Sequence, residues 1–242
     1  MRAFALVAFG ALALPACGSA ANVPTVAPSR PKVTVLLVPG SGFRGADAYD
    51  GDRMAIGETT WRRWGFRVKV VAYGPGKVGR DDVATAMLAA RRRDPKGRIC
   101  IYGESSGGTW ALVTAANDPE VDCVMTGAAP TDEDTWLTSR RRVARTFAHR
   151  IWPAYFGTGA EDDAFEPFDV WQARKPAVPA FLVVAQNDPT VPPDQGTVMN
   201  RLPGTTLRVL PGGKVPFVHS RVSARELKRV EAQLRTFAVR GR

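Results

Sequence analysis

The chain has only three cysteines and two histidines in 242 residues, and they are not spaced as metal ligands. No zinc site built from them is expected, and no organic cofactor is implied. Internal repeats and nucleic-acid motifs are absent too. The longest apolar run, Ala3 to Leu14, is too short to span a bilayer comfortably. The net charge of +10 therefore has no nucleic-acid partner to serve; anionic lipids or cell-wall polymers are the alternative counterparts, and a solvated basic surface is the reading preferred.

That apolar run follows Arg2 and ends in Leu14-Pro15-Ala16-Cys17-Gly18, which marks residues 1–16 as a signal peptide. The ending resembles the lipobox of bacterial lipoprotein precursors, which implies a lipid on Cys17 and a membrane anchor, with ordinary secretion as the alternative. Residues 17–32 carry several prolines and little apolar content, as suits a flexible tether. Residues 33–242 are then one domain.

Within that domain, apolar and β-branched runs predict strands at 33–38, 66–72, 99–102, 121–126, 180–185 and 206–210. Between them, helical patterns are expected over 49–64, 80–93, 106–117, 193–202 and 222–239. Alternation of this kind predicts an α/β fold with a doubly wound, mostly parallel sheet, whose ligand lies beyond the carboxyl ends of the strands. A longer interval, about 131–176, breaks the rhythm and reads as an inserted lid, with a helix over 136–152 that carries many arginines. Cys100 and Cys123 fall at the starts of neighbouring strands; outside the cytosol a bridge between them is allowed, but two buried free thiols are the reading preferred.

The most informative stretch is Ile99 to Gly108, a short strand running into Gly103-Glu104-Ser105-Ser106-Gly107 and then a helix. A serine hydroxyl is a weak nucleophile unless it is held exposed beside a base, and a sharp strand-to-helix turn does that. Gly103 and Gly107 leave room where a Cβ would collide.

The strand order, this elbow, and the segment Asn187-Asp188-Pro189-Thr190-Val191-Pro192 together resemble the α/β-hydrolase superfamily. Within it, the chain is most similar to esterases and peptidases of the prolyl-oligopeptidase and dienelactone-hydrolase type. The resemblance implies a Ser-Asp-His order met by Ser105, Asp188 and His219, with Asp132, Asp134 and Asp194 as rival acids. His149 lies in the insertion and reads as a surface or lid residue. The oxyanion hole implied by the family comes from the backbone N–H groups of Ser106 and Ser41, with Gly42 as the alternative to Ser41. Five residues separate the Pro211-Gly212-Gly213 turn from His219, a longer reach than the family commonly shows. The expected activity is that of a serine hydrolase cleaving a small ester, thioester or amide. A peptidase on the same scaffold and an inactive envelope-binding lipoprotein remain alternatives.

Overall fold

A computed structural model describes residues 33–156 and 165–241. The expected signal peptide, the tether with Cys17, and part of the insertion lie outside the described residues. In chain order the elements are β1 (Val33–Val38), a 3-10 turn (Ala48–Arg53), α1 (Glu58–Arg63), β2 (Arg67–Val70), α2 (Val78–Arg93), β3 (Arg98–Glu104), α3 (Ser106–Asn117) and β4 (Cys123–Gly127). The insertion contributes α4 (Glu133–Leu137), α5 (Arg142–Phe156) and α6 (Pro167–Arg174). Then come β5 (Ala180–Ala185), α7 (Asp194–Met199), β6 (Thr205–Leu210), β7 (Gly212–Phe217), β8 (Ser220–Val222) and α8 (Ala224–Arg240).

Six parallel strands form the central sheet in the order β2-β1-β3-β4-β5-β6. The strand order reverses at β1, with β2 added on one side and β3 on the other, which produces the switch point at which such sheets place their ligands. Alternate residues feed two cores. Leu36, Val38, Ile99 and Ile101 pack toward α2, α3 and the insertion, whereas Val35, Leu37, Cys100 and Tyr102 pack toward α1 and α8. Strands buried on both faces read as unbroken apolar runs, and this is why they were visible in the sequence. In α8, Leu227, Val230, Leu234 and Phe237 recur at helical spacing and are all buried, leaving the basic residues outside.

Three local expectations change. The helix expected over 49–64 is a 3-10 turn followed by short α1, because Gly57 interrupts it as the N-cap of α1. The helix expected over 136–152 breaks into α4 and α5, and the Ser139 hydroxyl accepts the N–H of Arg141 at the break. Cys100 and Cys123 are joined in a disulfide, not left as free thiols. They stand directly opposite each other in the β3–β4 register, with Cα atoms 4.6 Å apart, inside the range a bridge needs.

Within the insertion, a cluster of acids ties α4 to α6. Glu166, at the start of α6, is buried and accepts the N–H of Glu133 at the start of α4. Burial, followed by the nearby Asp169 and Asp132, pushes its carboxyl up to about 9 from 4.5; the Glu133 N–H opposes this. At neutral pH the folded protein holds a proton here that the unfolded chain has released. Stability from this group is complete below about 4.5, declines as pH rises, and is exhausted above about 9. Thermal melting at a series of pH values should therefore show Glu166→Gln with a flatter decline across that window than the parent. An unchanged slope would remove Glu166 as its source.

Candidate active site

Ser105 stands at the end of β3, where the chain turns into α3 with φ 51° and ψ −128°. A non-glycine residue takes such a backbone only when its surroundings impose it, and it is typical of a nucleophile presented on an elbow. The turn is held by the Ser105 N–H donating to Gly127 O at 2.8 Å and by the Gly108 N–H donating to Ser105 O at 2.9 Å. Both expected glycines are sterically required. A Cβ on Gly103 would run into the carbonyl of Gly107, and one on Gly107 would run into the carbonyls of Val38 and Pro39.

Asp188 follows β5 and is fully buried. Its Oδ1 accepts the N–H groups of Thr190 at 2.8 Å and Val191 at 2.9 Å, and its Oδ2 lies 3.2 Å from Nδ1 of His219. One carboxylate thus shapes its own loop and orients the imidazole. The rival acids do other things: Asp132 caps α4 by accepting the Thr135 N–H, while Asp134 and Asp194 are exposed. His149 is exposed on α5, as a surface or lid residue would be.

The long reach to His219 resolves into a hairpin that the sequence did not announce. β7 and β8 pair antiparallel, Phe217 and Val222 bury themselves in the core beside α8, and His219 occupies the turn, preceded by Val218 with φ 48°. Alternation in Val215, Phe217 and Val222 was the available signal, but Pro216 weakened it.

Ser105 and His219 line one cavity of about 960 Å³, together with Gly40, Gly42, Phe147 and Ile151. The insertion therefore walls the cavity at the carboxyl edge of the sheet. It is tied there by Arg141, which donates to the carbonyls of Gln186 at 2.5 Å and Asp188 at 3.2 Å, and by the Trp136 indole N–H, which donates to Thr190 O at 2.8 Å.

One expected donor is placed differently. The Ser41 N–H donates to Ser106 Oγ at 2.9 Å, so it is already engaged inside the protein. The neighbouring Gly42 N–H, on a residue with φ 63°, makes no hydrogen bond among the described residues. Ser106 begins α3, so its N–H has no partner within the helix. Behind this loop lies Tyr73, which sequence reasoning did not single out. Its hydroxyl donates to Pro39 O at 2.5 Å and lies 3.2 Å from Ser41 Oγ and 3.3 Å from Ser106 Oγ. Burial raises the Tyr73 phenol, so it stays a donor at neutral pH.

Glu104, immediately before Ser105, is the other unforeseen residue. It is buried and accepts three hydrogen bonds, from the N–H groups of Ala55 at 2.9 Å and Ile56 at 3.1 Å and from the Tyr102 hydroxyl at 2.6 Å. Burial raises its carboxyl despite these donors and the nearby His219. Glu104 thereby fastens the loop after the 3-10 turn to the elbow, and that loop supplies Met54 and Ala55 to the cavity wall.

The profile of the prolyl oligopeptidase family matches residues 70–202. The chain belongs to that family. Its fold is that of the α/β-hydrolases, as solved structures show. A bacterial heroin esterase is 20% identical, with 88% of this chain and 75% of that one aligned at a TM-score of 0.64. A brefeldin A esterase, described as a bacterial homologue of human hormone sensitive lipase, is 17% identical, with 85% and 68% aligned at 0.60. Carboxyl esterase 2 of the fungus Tuber melanosporum is 15% identical, with 85% and 76% aligned at 0.63. No curated protein sequence matches significantly. At these identities the structural likenesses speak to fold, and the profile speaks to family.

Proposed function

We propose that this family member is an exported serine hydrolase that cleaves small esters, thioesters or amides through an acyl-enzyme on Ser105. The reading is carried by one observation: a serine held at φ 51° shares a cavity with an imidazole whose far nitrogen meets a fully buried aspartate. In this mechanism His219 Nε2 takes the Ser105 proton as Oγ attacks the carbonyl, and Asp188 holds the Nδ1–H tautomer and stabilises the imidazolium. The N–H groups of Ser106 and Gly42 hold the tetrahedral oxyanion, while Tyr73 and Ser41 brace the loop that presents Gly42. His219 then returns the proton to the leaving group, and water repeats the sequence to release the acid.

A cavity partly walled by Phe147 and Ile151 suits an ester of modest size. The esterase names of the structural neighbours favour the same choice, whereas the family's name favours a peptidase on the same scaffold. The signal-like N-terminus supports export, the lipobox-like ending supports lipid attachment at Cys17, and the Cys100–Cys123 bridge fits an oxidising compartment. A fluorophosphonate probe should label the purified protein, and a panel of short p-nitrophenyl esters and chromogenic peptides should separate esterase from peptidase. A protein that neither labels nor turns over any ester would instead be a binding lipoprotein.

A further inference from the structure

The arginines of the insertion look in sequence like one solvated basic face, but the structure sorts them. Arg141 donates to the carbonyls of Gln186 and Asp188, and Arg145 donates to Ser139 O at 3.1 Å. Both brace the protein. Arg150 does neither. It lies over the ring of Phe147, 5.4 Å from the centroid, on the wall of the cavity that holds Ser105 and His219. Arg44 reaches the same cavity from the loop that carries Gly42, with its Nε donating to Ser41 O at 3.1 Å. Among the described residues, neither guanidinium meets a carboxylate.

The other charges lining the cavity do not offset them. Arg53 and Asp50 pair with each other at 3.1 Å. Glu104 is buried, with its oxygens taken by Ala55, Ile56 and Tyr102. That leaves two guanidiniums, one held by a carbonyl and the other over an aromatic ring, lining the same cavity as Ser105 and His219. Planar forks of this kind are suited to carboxylate and phosphate oxygens, and preorganisation reduces the entropy lost on contact.

We propose that Arg44 and Arg150 select a small soluble acyl substrate that carries an anionic group, a carboxylate or a phosphate, in addition to its scissile bond. This rests on the hydrolase reading. The anion meets the guanidiniums while Ser105 attacks the carbonyl, so its charge contributes to binding and orientation and takes no part in bond making.

Matched esters test it. The acyl-side set is mono-4-nitrophenyl adipate, its neutral methyl ester, and the corresponding ω-phosphonate; the leaving-group pair is 4-butyryloxybenzoate and its methyl ester. At low salt, at least one anionic member should exceed its neutral counterpart in kcat/KM by about tenfold, and the ratio should shrink as salt is added. The double variant Arg44→Ala/Arg150→Ala should bring that ratio near one, whereas Arg140→Ala/Arg142→Ala, on exposed positions outside the cavity, should leave it unchanged. The carboxylate and phosphonate arms identify which anion is preferred. Hydrolysis of neutral and anionic esters at equal rates would overturn the proposal and leave the hydrolase standing. So would a preference that survives the double variant, or one that appears only for esters presented on phosphatidylglycerol vesicles, which would indicate a membrane surface instead. If no ester is hydrolysed, binding of adipate monoesters by calorimetry still decides: binding lost in the double variant upholds the anion site without the hydrolase, and no binding overturns both.

Discussion

Ser105→Ala should lower kcat/KM for every ester the protein accepts by about a million-fold and abolish fluorophosphonate labelling, while leaving the fold in place. The hydroxyl is not part of the packing: no hydrogen bond of the described residues uses Ser105 Oγ, and the elbow is held by backbone contacts to Gly127 and Gly108. Alanine at φ 51° inherits the same backbone cost that serine already bears. What is lost is the covalent intermediate, and the activity remaining would come from the oxyanion donors and substrate binding alone. Full turnover in the variant would mean that some other group performs the attack.

Asp188→Asn should cost less, about ten-thousand-fold in kcat, with little change in melting temperature. Asparagine keeps a carbonyl oxygen to accept the N–H groups of Thr190 and Val191, so the loop after β5 survives. Its amide nitrogen, however, would face His219 Nδ1 as a donor, which forces the proton onto the other ring nitrogen. His219 would then meet Ser105 with a nitrogen that cannot take a proton. Asp188→Ala separates the two duties, because it also strands the buried N–H of Val191, at about 1–3 kcal/mol, and the part-buried N–H of Thr190, and should melt earlier. If Asn and Ala lose activity equally and melt alike, the aspartate acts on something other than the tautomer.

Much of this arrangement is legible in the residues themselves. Strands such as Val33–Val38, apolar but for Thr34, and Ala180–Ala185 read as continuous runs because both faces are covered, and the Gly103 to Gly107 elbow is readable because sterics permit few residues at its ends. Asp188 and His219 could be paired because the rest of the chain offers few histidines to choose from. Long-range partnerships were less visible. Glu104 became important only when β3 was laid beside the loop carrying Ala55 and Ile56, and Tyr73 only when its loop met Pro39 and Ser41. Local periodicity contains no information about such contacts. The hydrogen bond from Ser41 to Ser106, which favours Gly42 as the proposed oxyanion donor, is likewise encoded by no spacing rule. The hairpin carrying His219 was hidden by Pro216, which reads as a breaker but is tolerated in a two-stranded ribbon away from the main sheet.

The bridge between β3 and β4 affects how samples are prepared. Both sulfurs are shut off from solvent, so a reductant added to finished protein reaches them only when the sheet opens. The history of the material then matters more than the buffer it is measured in. Protein recovered from a reducing cytosol starts with two thiols between β3 and β4, and it lacks a tie worth about 3 kcal/mol for a loop of this length. Two batches with identical sequences could therefore differ in heat tolerance, and a thiol count under denaturing conditions would tell them apart.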